Sequence, residues 1–400
     1  MEYIYCIIAP IMALLVTMLV FPKVLRFAKN HHLEDSPNAR KLQKRPIPVL
    51  GGVAVYMGVL MGLLVLVSFK PDPVVLLALI VITIMQVIGV WDDISDLSKW
   101  FRFVFEFILV GAMIGLSGIF IDDFHGLWGI DQIDLVLAII LSVILGVGII
   151  NAVNMIDGVD GYVSGYCMQT CICFALLFWV SGELVMACMA LVVLASLLPF
   201  FFHNVFGIRS KMFIGDGGTM MLGILITIFV FYSLSSKSQC DILTNHRVGL
   251  VALVLAVLCI PIFDTLRVMT LRIVSGYSPF QSDKTHLHHL FIEMGFSHLG
   301  AALSILLVNF LVVLEWFVLW YLGASIEMQT YAIVLTGMVV TFGFYKFMKI
   351  HQNGGGHDEH GHPLGTKLWH SVCKIGQKSH YEKDKLWRLI SWLVDRHGRN

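Results

Sequence analysis

Eleven stretches of this chain are apolar for long enough, or nearly so, to cross a lipid bilayer. Their approximate limits are 3–21, 48–69, 73–91, 102–121, 133–151, 165–181, 183–203, 213–235, 248–270, 299–322 and 328–348. A spanning helix needs about 20 such residues. Only Ser181 and Gly182 separate the sixth from the seventh. The runs are unbroken rather than alternating, which excludes a β-barrel pattern and predicts helices. Composition agrees: the 400 residues are 58% hydrophobic and 14% charged. A soluble domain is nearer half apolar and a quarter charged. The fold class expected is an all-α polytopic membrane protein with about eleven transmembrane helices.

The basic residues orient that bundle. Of the 27 Lys and Arg, 24 fall in the loops after odd-numbered spans and in the tail. Lys70, Lys237 and Arg247 are the three on the other side. Positive loops stay cytoplasmic, so the N-terminus is expected outside and the C-terminus cytoplasmic. No basic region precedes the first apolar run, which is expected to be a retained span rather than a signal peptide. The eight Cys are scattered without metal spacing and read as packing residues. A formal net charge of zero gives no bulk field for nucleic acid.

Five polar clusters fall on the predicted cytoplasmic side: "DSPNARK" (35–41), "WDDISDLSKWFR" (91–102), "NAVNMIDGVDG" (151–161), "MFIGDGG" (212–218) and "SPFQSDKTHLHHLF" (278–291). Their convergence on one face predicts an interfacial active site there. Asp92 and Asp93 end the third span, an unfavourable place for carboxylates against the helix dipole. Asn154 and Asp157 are three apart, on one helical face. Asp160 follows in a second Asp-Gly pair, and Gly158 and Gly161 allow backbone to approach a ligand closely. Gly215, Gly217 and Gly218 leave Asp216 open. His286, His288 and His289, near Lys284, can hold phosphate oxygens. Asp264 and Arg267 are spaced as a simple helix ion pair. Acid residues with an amide select a hard ion, Mg²⁺ or Mn²⁺, which completes its shell with substrate phosphates. The chemistry implied is phosphoryl transfer at a membrane face, with a lipid as one substrate.

These motifs, in this order and over roughly residues 1–350, resemble the polyprenyl-phosphate N-acetylhexosamine-1-phosphate transferases. The branch most similar is the bacterial undecaprenyl-phosphate GlcNAc-1-phosphate transferases, which initiate cell-surface polysaccharide such as lipopolysaccharide O-antigen. The resemblance implies that undecaprenyl phosphate attacks a UDP-N-acetylhexosamine and releases UMP. It implies Asp216 and Asn154 as Mg²⁺ ligands, with Asp92 and Asp93 acting on the lipid phosphate. Asp157 and Asp160 would shape the nucleotide-sugar pocket, Phe213 would stack on uracil, and His286, His288 and His289 would grip phosphates or sugar. Arg40 and Lys41 would bind substrate in the first loop, where Gln43 replaces a histidine frequent in relatives. Trp100 stands where the family carries lysine, so Lys99 or Arg102 would take over. The muramoyl-pentapeptide branch carries a three-histidine run that "HLHH" does not match.

Residues 351–366 are Gly- and His-rich and read as a linker. Residues 367–400 form a tail whose "KLWRLISWLVDR" is amphipathic, expected on the cytoplasmic leaflet or against a partner. The tail lies beyond all five clusters and is expected to be dispensable for the reaction. The rival class is a membrane transporter, which would place its polar residues near the bilayer midplane within repeated halves; no repeat is visible. The sequence leaves open the choice of sugar, and whether the chain pairs into a homodimer.

Overall fold

The computed structural model describes residues 3–35, 46–279, 285–352 and 385–397. Arg40, Lys41, Gln43, Lys284 and the linker 353–366 lie outside the described residues. Ten helices are long and apolar enough to cross a membrane. They are α1 (Tyr5–Asn30), α2 (Gly51–Phe69), α3 (Pro73–Ser95), α4 (Lys99–Ser117), α5 (Leu135–Met155), α6 (Tyr162–Val180), α7 (Leu184–Phe206), α8 (Gly215–Ser233), α12 (His298–Tyr321) and the helix from Ile326 to Lys349. The last of these is α13 (Ile326–Met338) running through a π turn into α14 (Phe344–Gln352). The chain is a multi-pass membrane protein.

The ninth expected span, 248–270, is not one straight helix. It is broken at Leu258 into α9 (Leu250–Val257) and α10 (Cys259–Val274). Pro261 has no N–H for the Val257 carbonyl, which is its i−4 acceptor. Asn309 of α12 mends the gap: its Nδ2 donates to Val257 O (3.2 Å) and its Oδ1 accepts from Ile260 N (3.2 Å). Before α9, a 3-10 turn over Gln239–His246 meets it at 105°. The class of the spans therefore agrees with the sequence, and ten of the eleven expected spans are long apolar helices, the ninth being broken.

The starts of the helices follow from local chemistry. Asp72, just before Pro73, accepts from Val74 N and Val75 N; Ser98 accepts from Phe101 N; Asp134 accepts from Val136 N and Leu137 N. Each such cap contributes about 1 kcal/mol.

α8 is the axis of the bundle, packed by α2, α3, α5 and α6. Lipid gives helices no hydrophobic reason to associate, so small residues that let backbones touch decide the packing. A Cβ on Gly52 of α2 would lie 2.4 Å from Gly218 Cα, and one on Gly89 of α3 would lie 2.4 Å from Gly217 Cα. Farther along, a Cβ on Gly223 would lie 2.7 Å from Ile150 Cα of α5. The start of α8 is thereby pressed between the ends of its neighbours.

A short antiparallel pair, β1 (Glu34–Asp35) with β2 (Ile47–Pro48), brings the first loop over that same end. Phe213 N donates to Pro48 O (2.8 Å), Gly51 N to Phe213 O (2.8 Å) and Gly52 N to Ile214 O (2.7 Å). The "PIPVLGG" and "MFIGDGG" stretches are thus one backbone-bonded unit. α11 (Leu287–Glu293) packs against α12 and α14, and α15 (Lys385–His397) against α7.

Candidate active site

The C-termini of α3 and α5, the N-termini of α4 and α8, and the turn Ile156–Gly161 meet at one end of the bundle. The chain turns sharply after Asp92 because its carboxylate takes up the free amide beyond the helix. Asp92 Oδ1 accepts from Leu97 N (2.7 Å) and Oδ2 accepts from Arg102 Nη1 (2.8 Å). Asp96 then closes α3 in the left-handed region (φ 48°).

Asp93 faces the other way. Its two oxygens accept from Asp216 N (2.8 Å) and Gly217 N (3.2 Å), the unpaired donors of the first turn of α8. A carboxylate is well placed at a helix N-terminus. The approach requires Gly215, at φ 74°, where a Cβ would lie 2.6 Å from Asp93 Oδ2. The two adjacent aspartates therefore do different work: Asp92 fixes a guanidinium, and Asp93 fixes the helix that carries Asp216.

Asp216 Oδ1 accepts from Asn154 Nδ2 (2.7 Å), which also donates to Thr219 Oγ1 (2.7 Å). Asp216 Oδ2 is 3.6 Å from Arg102 Nη1, and the Asp216 side chain is 38% exposed. Asn154 Oδ1 lies 3.5 Å from Arg102 Nη2. Behind them, buried Glu106 is 3.9 Å from Arg102 Nε and accepts from Asn151 Nδ2. Of the two basic residues offered by the sequence, Arg102 is the one centred on these carboxylates; Lys99 is exposed at the start of α4.

Asp157 stands at the turn with part of its surface in solvent, while neighbouring atoms crowd its carboxyl. Desolvation by the surrounding loops, then the charges of Asp216, Asp93 and Asp160, push its carboxyl up to about 8. Asp160 is different. Burial alone would raise it, but His298 Nδ1 at 3.0 Å and Lys211 Nζ at 2.5 Å hold it below the ordinary carboxylate range. Phe213 is half-buried beside Lys211. Asn204 ties the turn to that segment, accepting from Gly161 N (2.7 Å) and donating to Met212 O (3.0 Å).

The histidines form the opposite wall. His286 Nδ1 contacts Asp264 Oδ2 (2.9 Å), and Leu287 N donates to the same oxygen (3.2 Å). Asp264 Oδ1 accepts from Arg267 Nη2 (2.7 Å), which also donates to Thr285 O (2.6 Å). Arg267 is fully buried and stacks over Tyr345 at 4.6 Å. The Asp264–Arg267 pair, a plain helix pair by its spacing, is the anchor of the histidine loop. His288 is buried, and burial followed by the adjacent His289 and His286 pushes its imidazole well below the usual range. Its Nε2 lies 2.4 Å from where a Cβ on Gly158 would be, so this glycine lets the two walls meet. His289 is half-buried beside it, the two rings 4.3 Å apart.

Sequence spacing found Asp92, Asp93, Asn154, Asp157, Asp160 and Asp216, and the fold gathers them. It missed Lys211, His298, Thr219 and Glu106. Lys211 and Glu106 are single charges beside apolar runs and carried a visible signal; Thr219 and His298 carried none. Asp216 and Asp157 are carboxylates left open to a cation, with Asn154 and Thr219 as neutral oxygens nearby. Among the described residues, no three His, Cys, Asp or Glu side chains make a ready cage.

The model of the glycosyl transferase family 4 matches residues 75–234, the span from α3 to the end of α8. A Bacillus subtilis (strain 168) protein named probable undecaprenyl-phosphate N-acetylglucosaminyl 1-phosphate transferase is 30% identical over 309 residues, 76% of this chain and 82% of that protein. The undecaprenyl-phosphate alpha-N-acetylglucosaminyl 1-phosphate transferase of Escherichia coli (strain K12) is 28% identical over 278 residues, 68% and 72% of the two chains. The protein of that name from Yersinia pestis is 27% identical over 268 residues, 66% and 71%.

Proposed function

The chain belongs to glycosyl transferase family 4, as a polyprenyl-phosphate sugar-1-phosphate transferase, and we propose that it transfers GlcNAc-1-phosphate from UDP-GlcNAc to undecaprenyl phosphate. A lipid phosphate oxygen attacks the phosphorus that bears the sugar. The bond from that phosphorus to the UMP oxygen breaks, UMP leaves with the electron pair, and a lipid-pyrophosphate-sugar remains. This product would begin a cell-surface polysaccharide in the bacterial inner membrane.

The observation that carries the reading is the gathering of carboxylates at one end of the bundle: Asp92 and Asp216 beside Arg102, Asp93 on the first turn of α8, and Asp157 near enough to feel the charges of Asp216 and Asp93. Two anionic substrates must meet there, and repulsion between them is the main barrier. Arg102, already oriented by Asp92, would take the lipid phosphate. Asp216 and Asn154 would hold Mg²⁺, with Thr219 and Asp157 close by. The donors are all oxygen, which suits Mg²⁺, and an ion held by one or two carboxylates takes its remaining ligands from water and phosphate. When bound, the ion supplies positive charge between the two phosphates. Lys211, Asp160 and Phe213 border the site on the side where the nucleotide would lie. His288, neutral and wedged on Gly158, shapes the cleft, whereas His289 would face the phosphates. The basic loops at this end favour a cytoplasmic position for the site and for the C-terminus.

The test is the purified protein with undecaprenyl phosphate, Mg²⁺ and a panel of UDP-sugars, reading UMP release and the mass of the lipid product. A product larger by one N-acetylhexosamine phosphate supports the reading. No lipid product with any sugar, from protein that remains folded, overturns it. A product only with another sugar corrects the donor and keeps the reaction.

A further inference from the structure

Three successive backbone N–H groups of the loop between α7 and α8 point at one carboxylate, and that carboxylate comes from the far end of the chain. Asp395 Oδ1 accepts from Ile208 N (3.2 Å), Arg209 N (3.1 Å), Ser210 N (3.1 Å) and Ser210 Oγ (2.9 Å); its Oδ2 accepts from Arg209 N (3.3 Å). Convergent amides of this kind make an anion seat. Asp395 is 9% exposed, so the contact is made out of water, where such bonds are strong.

The helix that bears it, α15, is mounted with its polar edge inward. Ser391 and Asp395, one turn apart, are buried against the protein, while Leu389, Trp392 and Leu393 are 53%, 52% and 44% exposed. An amphipathic helix that turns its apolar face away from its own protein, beside the end of a spanning helix, is built to seat that face in a lipid surface. Arg396, stacked on Trp392 at 5.1 Å, stands where headgroups would be.

The loop it grips matters to the cleft. Lys211 follows Ser210 directly and reaches Asp160, and Met212 O is held by Asn204, which also holds the turn at Gly161. Phe213 and Gly215 come next. We propose that α15 is a membrane-seated clamp and that Asp395 is a positioning residue for the transfer reaction, acting through the loop Gly207–Lys211 on the nucleotide-sugar side of the site. The kinetic part rests on the reading given under Proposed function. The tail expected to be dispensable is, on this inference, part of the working enzyme.

The experiment uses the full chain in nanodiscs containing anionic lipid. Asp395→Ala and Ser210→Ala are compared with wild type, and Asp395→Glu is the rescue. Amide hydrogen exchange reads the clamp without any turnover: exchange at residues 208–213 should speed up in Asp395→Ala and recover in Asp395→Glu. Initial rates should show KM for the UDP-sugar raised roughly three- to thirtyfold in Asp395→Ala. KM for the lipid phosphate and the thermal midpoint should stay unchanged. Unchanged exchange in Asp395→Ala would overturn the clamp. A uniform fall in kcat with a lowered thermal midpoint would reduce Asp395 to a stability contact and overturn its positioning role. A wild-type protein that transfers nothing would sink the transferase reading instead, while the exchange data would still judge the clamp.

Discussion

On the wall formed by α3, α5 and α8, Asp92 and Asp216 share Arg102, Asp93 holds the first turn of α8, and Asp157 lies within reach of the charges of Asp216 and Asp93. On the wall formed by α10 and α11, a single carboxylate, Asp264, takes up Arg267, His286 and a backbone N–H. The first wall has more negative charge than its own groups neutralise. The second is balanced within itself and sealed from water. A surplus of charge costs stability and is useful only if a ligand of opposite charge arrives. A balanced, buried pair offers a ligand little, but it holds a loop in one place. The two walls should therefore answer the same kind of substitution with opposite signs.

The largest effect is expected at Asp216. Asp216→Asn should lower transfer by at least about a hundredfold, because it removes the open carboxylate from a site that must counter phosphate charge. Its thermal midpoint in Mg²⁺-free buffer should hold or rise, since a like charge has gone. Near-normal turnover at saturating Mg²⁺ would break the assignment. At Asp264 the sign reverses: Asp264→Asn leaves the fully buried Arg267 uncompensated, and about 3–5 kcal/mol of stability should be lost. A thermal melt in nanodiscs checks this, and a midpoint equal to wild type would erase the contrast between the walls.

Asn154→Ala should lower the rate roughly tenfold to a hundredfold and shift the Mg²⁺ titration to higher concentration. A lower rate with an unmoved titration would make Asn154 a spacer for Asp216 and Thr219 only. The smallest effect is one of pH. Asp157 binds its proton more tightly when folded, near pH 8, than when unfolded, near pH ~4. Between those limits the folded state holds more protons, so stability should fall as pH rises through this window. Mg²⁺ should flatten that slope, and Asp157→Asn should remove part of it. A melting series in pH with and without Mg²⁺ reads the difference.

The acid wall was largely legible in the sequence. Its carboxylates stand next to apolar runs, where charge is costly and thus conspicuous, and helix ends put them on one face. The split of duties between Asp92 and Asp93 was not legible, because the partners of Asp93 are amides more than a hundred residues away. The balanced wall was barely legible. Asp264 and Arg267 look like any pair one helical turn apart, and the bond to His286 crosses a loop. The break at Leu258 was half visible in Pro261, but the splint from Asn309 was not. The tail looked detached because nothing local to Asp395 names the loop that receives it.

α8 is the span with the least claim on the lipid: 89% of its apolar stretch is buried in protein, the largest share among the spans. Such a segment has little reason to remain in a bilayer until α2, α3 and α5 are present to wrap it. Its glycine contacts admit one depth, and its first turn hangs on Asp93. On the role proposed for Asp216, assembly would act as a proofreading step: a copy in which this helix is late, shifted or left outside would lack Asp216 at the cleft and would leave the carrier lipid untouched.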